Sequence, residues 1–116
     1  RSVVFVLSDF FDSDYVDSLR TLARRHDVIA LVLVDPMDLE LPDFGIVRFA
    51  SAEGAATQVV DTGSLALRRD YAAAATDHAA ERQHTLAMAG VDEVEIRLDE
   101  DLVAPIARYF RMREMR

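Results

Sequence analysis

The sequence predicts an α/β chain in which three mainly parallel strands carry flanking helices and an inserted β-hairpin, and three observations lead there. Residues 3–7 and 28–34 are continuously apolar and rich in β-branched side chains, as strands covered on both faces are. Between them Tyr15/Val16, Leu19 and Leu22/Ala23 recur at helical spacing, so strand, helix and strand form a βαβ unit with the usual right-handed crossover. A third run, 91–98, alternates apolar with charged residues and completes the set.

Each element has its own signals. The run 3–7 reads as a central strand. Asp12 and Asp14 fall in the first turn of the helix that follows, and Arg24 and Arg25 in its last, where each sign suits the helix dipole. Asp35-Pro36 ends the second strand. Residues 45–49 and 57–60 flank Ser51-Ala52-Glu53-Gly54, a turn-forming stretch, and predict the hairpin. From 64 to 89 an Ala-rich helix sets Leu67, Tyr71, Ala75, Ala79 and Leu86 near one face and ends at Gly90 as its C-cap. In 91–98, Val94, Ile96 and Leu98 oppose Glu93, Glu95 and Arg97, which predicts an edge strand with one wet face. Asp99 or Asp101 caps a last helix that turns Leu102, Ile106, Tyr109 and Phe110 inward, with Pro105 near the first turn. The basic end, 111–116, is expected to fray.

Composition narrows the function classes. The chain has 116 residues, 51% hydrophobic and 29% charged, which suits one small globular domain. A net charge of −8 argues against nucleic acid and anionic lipid as partners, because phosphate binding needs a clustered positive field. The absence of Cys removes disulfides, thiolate metal sites and cysteine nucleophiles. No run approaches the roughly 20 apolar residues of a membrane span, so the segment is expected to make no membrane contact and to lie in the cytoplasm. The chain enters an apolar run straight after Arg1-Ser2, which reads as a boundary inside a larger protein.

Candidate chemistry is confined to carboxylates. Parallel strands bring their C-terminal ends to one sheet edge, where open α/β folds bind ligands, and Asp9, Asp35 and Asp99 each follow such an end. Asp9 with Ser8 and Asp12 is the cluster best suited to Mg²⁺ or Ca²⁺. It lacks the spacing and glycine of a calcium loop, and capping explains Asp12 and Asp14 better. Turn and cap roles explain Asp35 and Asp99. His78 and His84 are six apart and cannot share a ligand, Glu81 and His84 share a face without further ligands, and His26 suits a helix C-terminus. Tyr15, Tyr109 and Phe110 read as core stripes. There is no G-x-S-x-G, no phosphate-cradling loop and no two-His motif, so no catalytic residues are assigned and the chain is expected not to be an enzyme.

Several stretches carry a family resemblance: Val3-Val4-Phe5-Val6-Leu7-Ser8-Asp9-Phe10, Leu22-Ala23-Arg24-Arg25-His26-Asp27-Val28-Ile29-Ala30-Leu31, Asp35-Pro36 with Glu40-Leu41-Pro42, Val59-Val60-Asp61-Thr62, Gly90-Val91-Asp92 and Asp99-Glu100-Asp101. Together they resemble the C-terminal part of the bacterial domain of unknown function 58 family, which is similar to von Willebrand factor A domains. The resemblance implies that residues 1–116 are a C-terminal fragment of one such domain, half of a Rossmann-like three-layer fold. It places Asp9 at the last ligand position of a metal-ion-dependent adhesion site, whose Asp-x-Ser-x-Ser loop this chain does not contain. Asp9 is thus expected to be a remnant position, with no cofactor in this fragment and Mg²⁺ a ligand only of the intact domain. Phe10 stands where adhesion domains commonly have Gly, a further departure from metal-dependent ligand binding. The resemblance implies a non-catalytic protein-interaction module working with a MoxR-type ATPase in the assembly or activation of other proteins, the intact protein being either cytoplasmic or membrane-anchored. A small Mg-dependent phosphoryl- or nucleotide-handling α/β enzyme domain is the alternative. A strand with apolar faces and a missing neighbour also predicts a homodimer of the fragment.

Overall fold

The computed structural model describes residues 1–12, 14–50 and 57–115. Its elements are β1 (Val3–Ser8), α1 (Val16–Ala23), β2 (Asp27–Val34), α2 (Pro36–Leu39), β3 (Ile46–Ala50), β4 (Thr57–Asp61), α3 (Leu65–Met88), β5 (Asp92–Arg97) and α4 (Val103–Glu114). They form two compact units, one of residues 1–36 and 78–116, the other of residues 37–77. Among the described residues no helix is long and apolar enough to cross a membrane.

The first unit holds a parallel sheet in the order β1-β2-β5. β2 is buried on both faces, as its unbroken apolar run predicts: Val28, Ala30, Val32 and Val34 fill one face, Ile29 and Leu31 the other. The second face forms a core of Ile29, Leu31, Val94, Ile96 and Tyr109, with Leu33 and Ile106 packed against it. Tyr109 lets α4 cover β2 and β5 there, and its hydroxyl donates to Asp92 Oδ2 at 2.7 Å, so a buried polar tip keeps a partner. Burial first, then that hydrogen bond, raises its pKa above the usual tyrosine value.

β1, expected to be central in the intact domain with one neighbour missing from this fragment, pairs with β2 alone, and Val3, Phe5 and Leu7 stay 48%, 39% and 62% exposed. Three expectations for this unit need correction. β5 is the predicted edge, but its charged face is not simply wet, since Glu93 binds a buried arginine. Leu102 and Phe110 stay half-exposed, although Phe110 sets its ring edge-on to Phe5. The basic end does not fray before Glu114, because Arg113 donates to Asp27 and to Tyr109 and ties the last turn to the start of β2. Hydrogen bonds from Arg1 and Arg113 hold the Asp27 carboxyl below the usual aspartate range.

The second unit carries the predicted hairpin, β3 antiparallel to β4, with Ile46 opposite Asp61 and Ala50 opposite Thr57. The expected turn at 51–54 lies outside the described residues. Thr62 closes the open end. Its buried hydroxyl donates to the Gly45 carbonyl and accepts from Phe44 N, and its own N–H reaches Gly45 at 2.8 Å. Gly45 meets this closure with φ +70, which glycine adopts freely. Ser64 Oγ then accepts from Leu67 N at 3.2 Å, an N-cap that starts α3. The short α2 was not predicted; four residues are too few to show a period. At the far end of α3, Gly90 takes φ +79 as the predicted C-cap.

Candidate functional site

Parallel β1, β2 and β5 end at Ser8, Val34 and Arg97, which brings Asp9, Asp35 and Asp99 to one edge of the sheet as predicted. All three are engaged in interactions. Asp99 pairs with Arg97 at 3.3 Å. Asp9 Oδ1 accepts from Phe11 N at 3.2 Å, and Ser8 Oγ accepts from Phe10 N at 3.1 Å, so the two side chains cap a tight turn. Asp12 does the same for Asp14 N, while the N-cap of α1 is Tyr15, with no side-chain cap hydrogen bond, so Asp12 and Asp14 make an Asx turn rather than the helix cap expected of them. Among the described residues no group of three His or acidic side chains could hold a metal ion. Titration calorimetry with Mg²⁺ or Mn²⁺ should accordingly show no stoichiometric heat in the micromolar range. A saturable heat abolished by Asp9→Ala would contradict this account of Asp9.

The turn's geometry has a further effect. Phe10 sits at φ 55, a left-handed conformation that side chains other than Gly, Asn and Asp seldom take. It is held there by burial: Phe10 is 4% exposed and meets the Tyr15 ring edge-on at 5.0 Å. The reversal turns Phe11 outward, onto His78 of α3, with the rings stacked at 4.7 Å and 12°.

Beneath this stack lies a cleft of ≈ 180 Å³, bounded by Phe11, Asp12, Tyr15, His78, Glu81 and Arg82. Arg82 is only 7% exposed, and its Nε donates to Glu93 Oε1 at 2.7 Å, an ion pair from α3 to β5. Burial raises the Tyr15 pKa, with Arg82 pulling it down and Glu93 pushing it up. Two polar atoms here are buried without a partner: Arg82 Nη2 and His78 Nε2. A buried polar group left unsatisfied costs about 1–3 kcal/mol. A second recess of ≈ 340 Å³ lies along β5 and α4, lined by Asp92, Glu93, Glu95, Pro105, Arg108 and Tyr109 among others.

Of the sequence candidates, His78 and Glu81 come together at the cleft, His84 does not line it, and His26 Nδ1 accepts from Ser2 N at 3.0 Å. Sequence reasoning missed Arg82 and Glu93. The signal was present for Arg82, which lies four residues after His78 and four before fully buried Leu86, on one stripe of α3.

Comparison with known proteins gives a family. The family described as "Protein of unknown function DUF58" matches residues 1–81. Uncharacterized proteins from Mycobacterium bovis and Mycobacterium tuberculosis are 35% identical over 114 residues, covering 97% of this chain and 36% of their own length. An uncharacterized Mycobacterium avium protein is also 35% identical, with 67% of its length covered. The chain thus spans about a third of the first relatives' length. No solved structure matches it significantly. The quoted stretches after residue 81 fall outside the family match, but the mycobacterial proteins extend over nearly all of the chain. The chain belongs to the DUF58 family.

Proposed function

We infer that this segment is a non-catalytic protein-interaction element, working in the cytoplasm or at its membrane with a MoxR-type ATPase in the assembly or activation of other proteins. The reading follows the family to which the chain belongs, and the edge of β1, unpaired in this segment, is the surface on which it is tested. Asp27 N donates to the Ser2 carbonyl at 2.9 Å, and in a parallel ladder of this register Val4 and Val6 turn N–H and C=O toward β2. Val3, Phe5 and Leu7 therefore turn theirs to the open side, and these same residues are exposed. Unpaired backbone beside apolar side chains is the surface to which a partner strand adds. The test is capture of a purified MoxR-type ATPase by the immobilised chain. Leu7→Glu, at a 62% exposed position, should abolish capture, and Glu95→Gln should leave it unchanged. No capture by the unaltered chain, or equal capture by Leu7→Glu, would contradict the proposal.

A further inference from the structure

We propose that the end of the first unit at which its strands begin binds an anionic lipid surface. The proposal does not depend on what docks along β1. It concerns contact with a surface, since among the described residues no helix is long and apolar enough to cross a membrane.

Topology gathers the charge. Parallel β1 and β2 start side by side at Val3 and Asp27, and α1 and α4, each following a strand, run back to that end before they stop at Ala23 and Glu114. Arg1 and Arg113 share the Asp27 carboxylate there, each at 2.5 Å, and Ser2 N donates to His26 Nδ1. Arg24, Arg25 and Arg111 join them, exposed and paired with no carboxylate among the described residues. Against these five arginines stand Asp27, Asp92, which accepts from Tyr109, and exposed Glu114, so the end is positive. A helix dipole would be met by one cation at each helix end. The arginines also straddle the sheet: α4 lies on the Ile29/Leu31 face and α1 on the other, beside Arg82 and its partner Glu93. A positive rim on both sides of a sheet end fits a flat surface laid across it, whereas a peptide in a groove would reach one side only.

The net charge of −8 does not oppose this. Asp9, Asp12, Asp14, Asp35, Asp99 and Asp101 follow the strand C-termini, at the opposite end. The six residues of β1 hold the two ends about 20 Å apart, and the screening length at physiological salt is about 8 Å. A surface at the basic end is thus screened from most of the carboxylates. Apolar side chains stand among the arginines: Val3, Met112 and Met115 are 48%, 61% and 87% exposed, as shallow insertion between lipid headgroups requires.

The experiment is flotation of the full chain with vesicles of equal parts phosphatidylglycerol and phosphatidylcholine, against phosphatidylcholine alone. The chain should float with the anionic vesicles only, and less as salt is raised. Arg24→Gln with Arg25→Gln should weaken binding roughly 25-fold and Arg111→Gln about fivefold, the effect of each charge lost near an anionic surface. Arg69→Gln, at an exposed position in the second unit, should leave it unchanged. All these variants should keep the circular dichroism of the unaltered chain, since none of the four arginines is buried. No binding to anionic vesicles at low salt, equal binding to neutral ones, or an equal loss in Arg69→Gln would overturn the proposal. So would retention on immobilised polyglutamate without vesicle binding, which would make the partner an acidic polypeptide.

Discussion

Arg82→Met is expected to destabilise the chain by about 3–5 kcal/mol, because it leaves Glu93 as a poorly solvated charge without its partner. The side chains of the pair are only 6% and 15% exposed, so water replaces little of the lost interaction. Glu93 retains the better access of the two, which places the expected cost toward the lower end. The control is Arg82→Met with Glu93→Leu: removing both charges should recover stability to within about 1 kcal/mol of the original, since apolar replacements of buried pairs are often neutral. Chemical denaturation of the two single variants and the double variant closes this cycle. A double variant as unstable as Arg82→Met would mean that Arg82 acts through packing instead of charge.

Leu86→Ala, one turn further along α3, should cost about 2–5 kcal/mol by leaving a cavity. Leu86 is fully buried, at 0% exposure. Leu65→Ala on the same helix is the matched comparison: Leu65 is 53% exposed, and its loss should stay within about 0.5 kcal/mol. Similar losses in the two variants, measured as denaturation midpoints at constant slope, would contradict the assignment of the buried stripe.

The contrast within α3 shows what was legible in the sequence. β2 could be read directly, because seven consecutive apolar residues have few other uses. The ends of α3 were legible too, since Ser64 and Gly90 are side-chain and backbone signals that act locally. Tertiary cover was not legible. The runs in β1 and β2 look alike, yet in this segment β2 is buried and β1 is not, because β2 lies between two strands and β1 has a neighbour on one side only. The site failed for a related reason. Asp9 drew attention as a carboxylate at a strand end, but its oxygen serves the turn that reverses the chain at Phe10. Where a glycine would have signalled that left-handed turn, Phe10 concealed it. Arg82 and Glu93 are eleven residues apart on different elements, and no periodicity links a helix position to a strand position.

The most direct test of the open β1 edge, which in this segment lacks the neighbour expected in the intact domain, is the mass of the isolated chain by light scattering at tens of micromolar. With no partner strand present, the readiest occupant of the β1 edge is β1 of a second copy, paired about a two-fold axis into one continuous sheet. The chain should therefore scatter as a dimer. Phe5→Pro removes one outward N–H and spares the ladder to β2, so it should give a folded monomer, whereas Val6→Pro removes an N–H that β2 uses and should unfold the chain. A well-folded monomer for the unaltered chain, or a dimer that survives Phe5→Pro, would contradict the account.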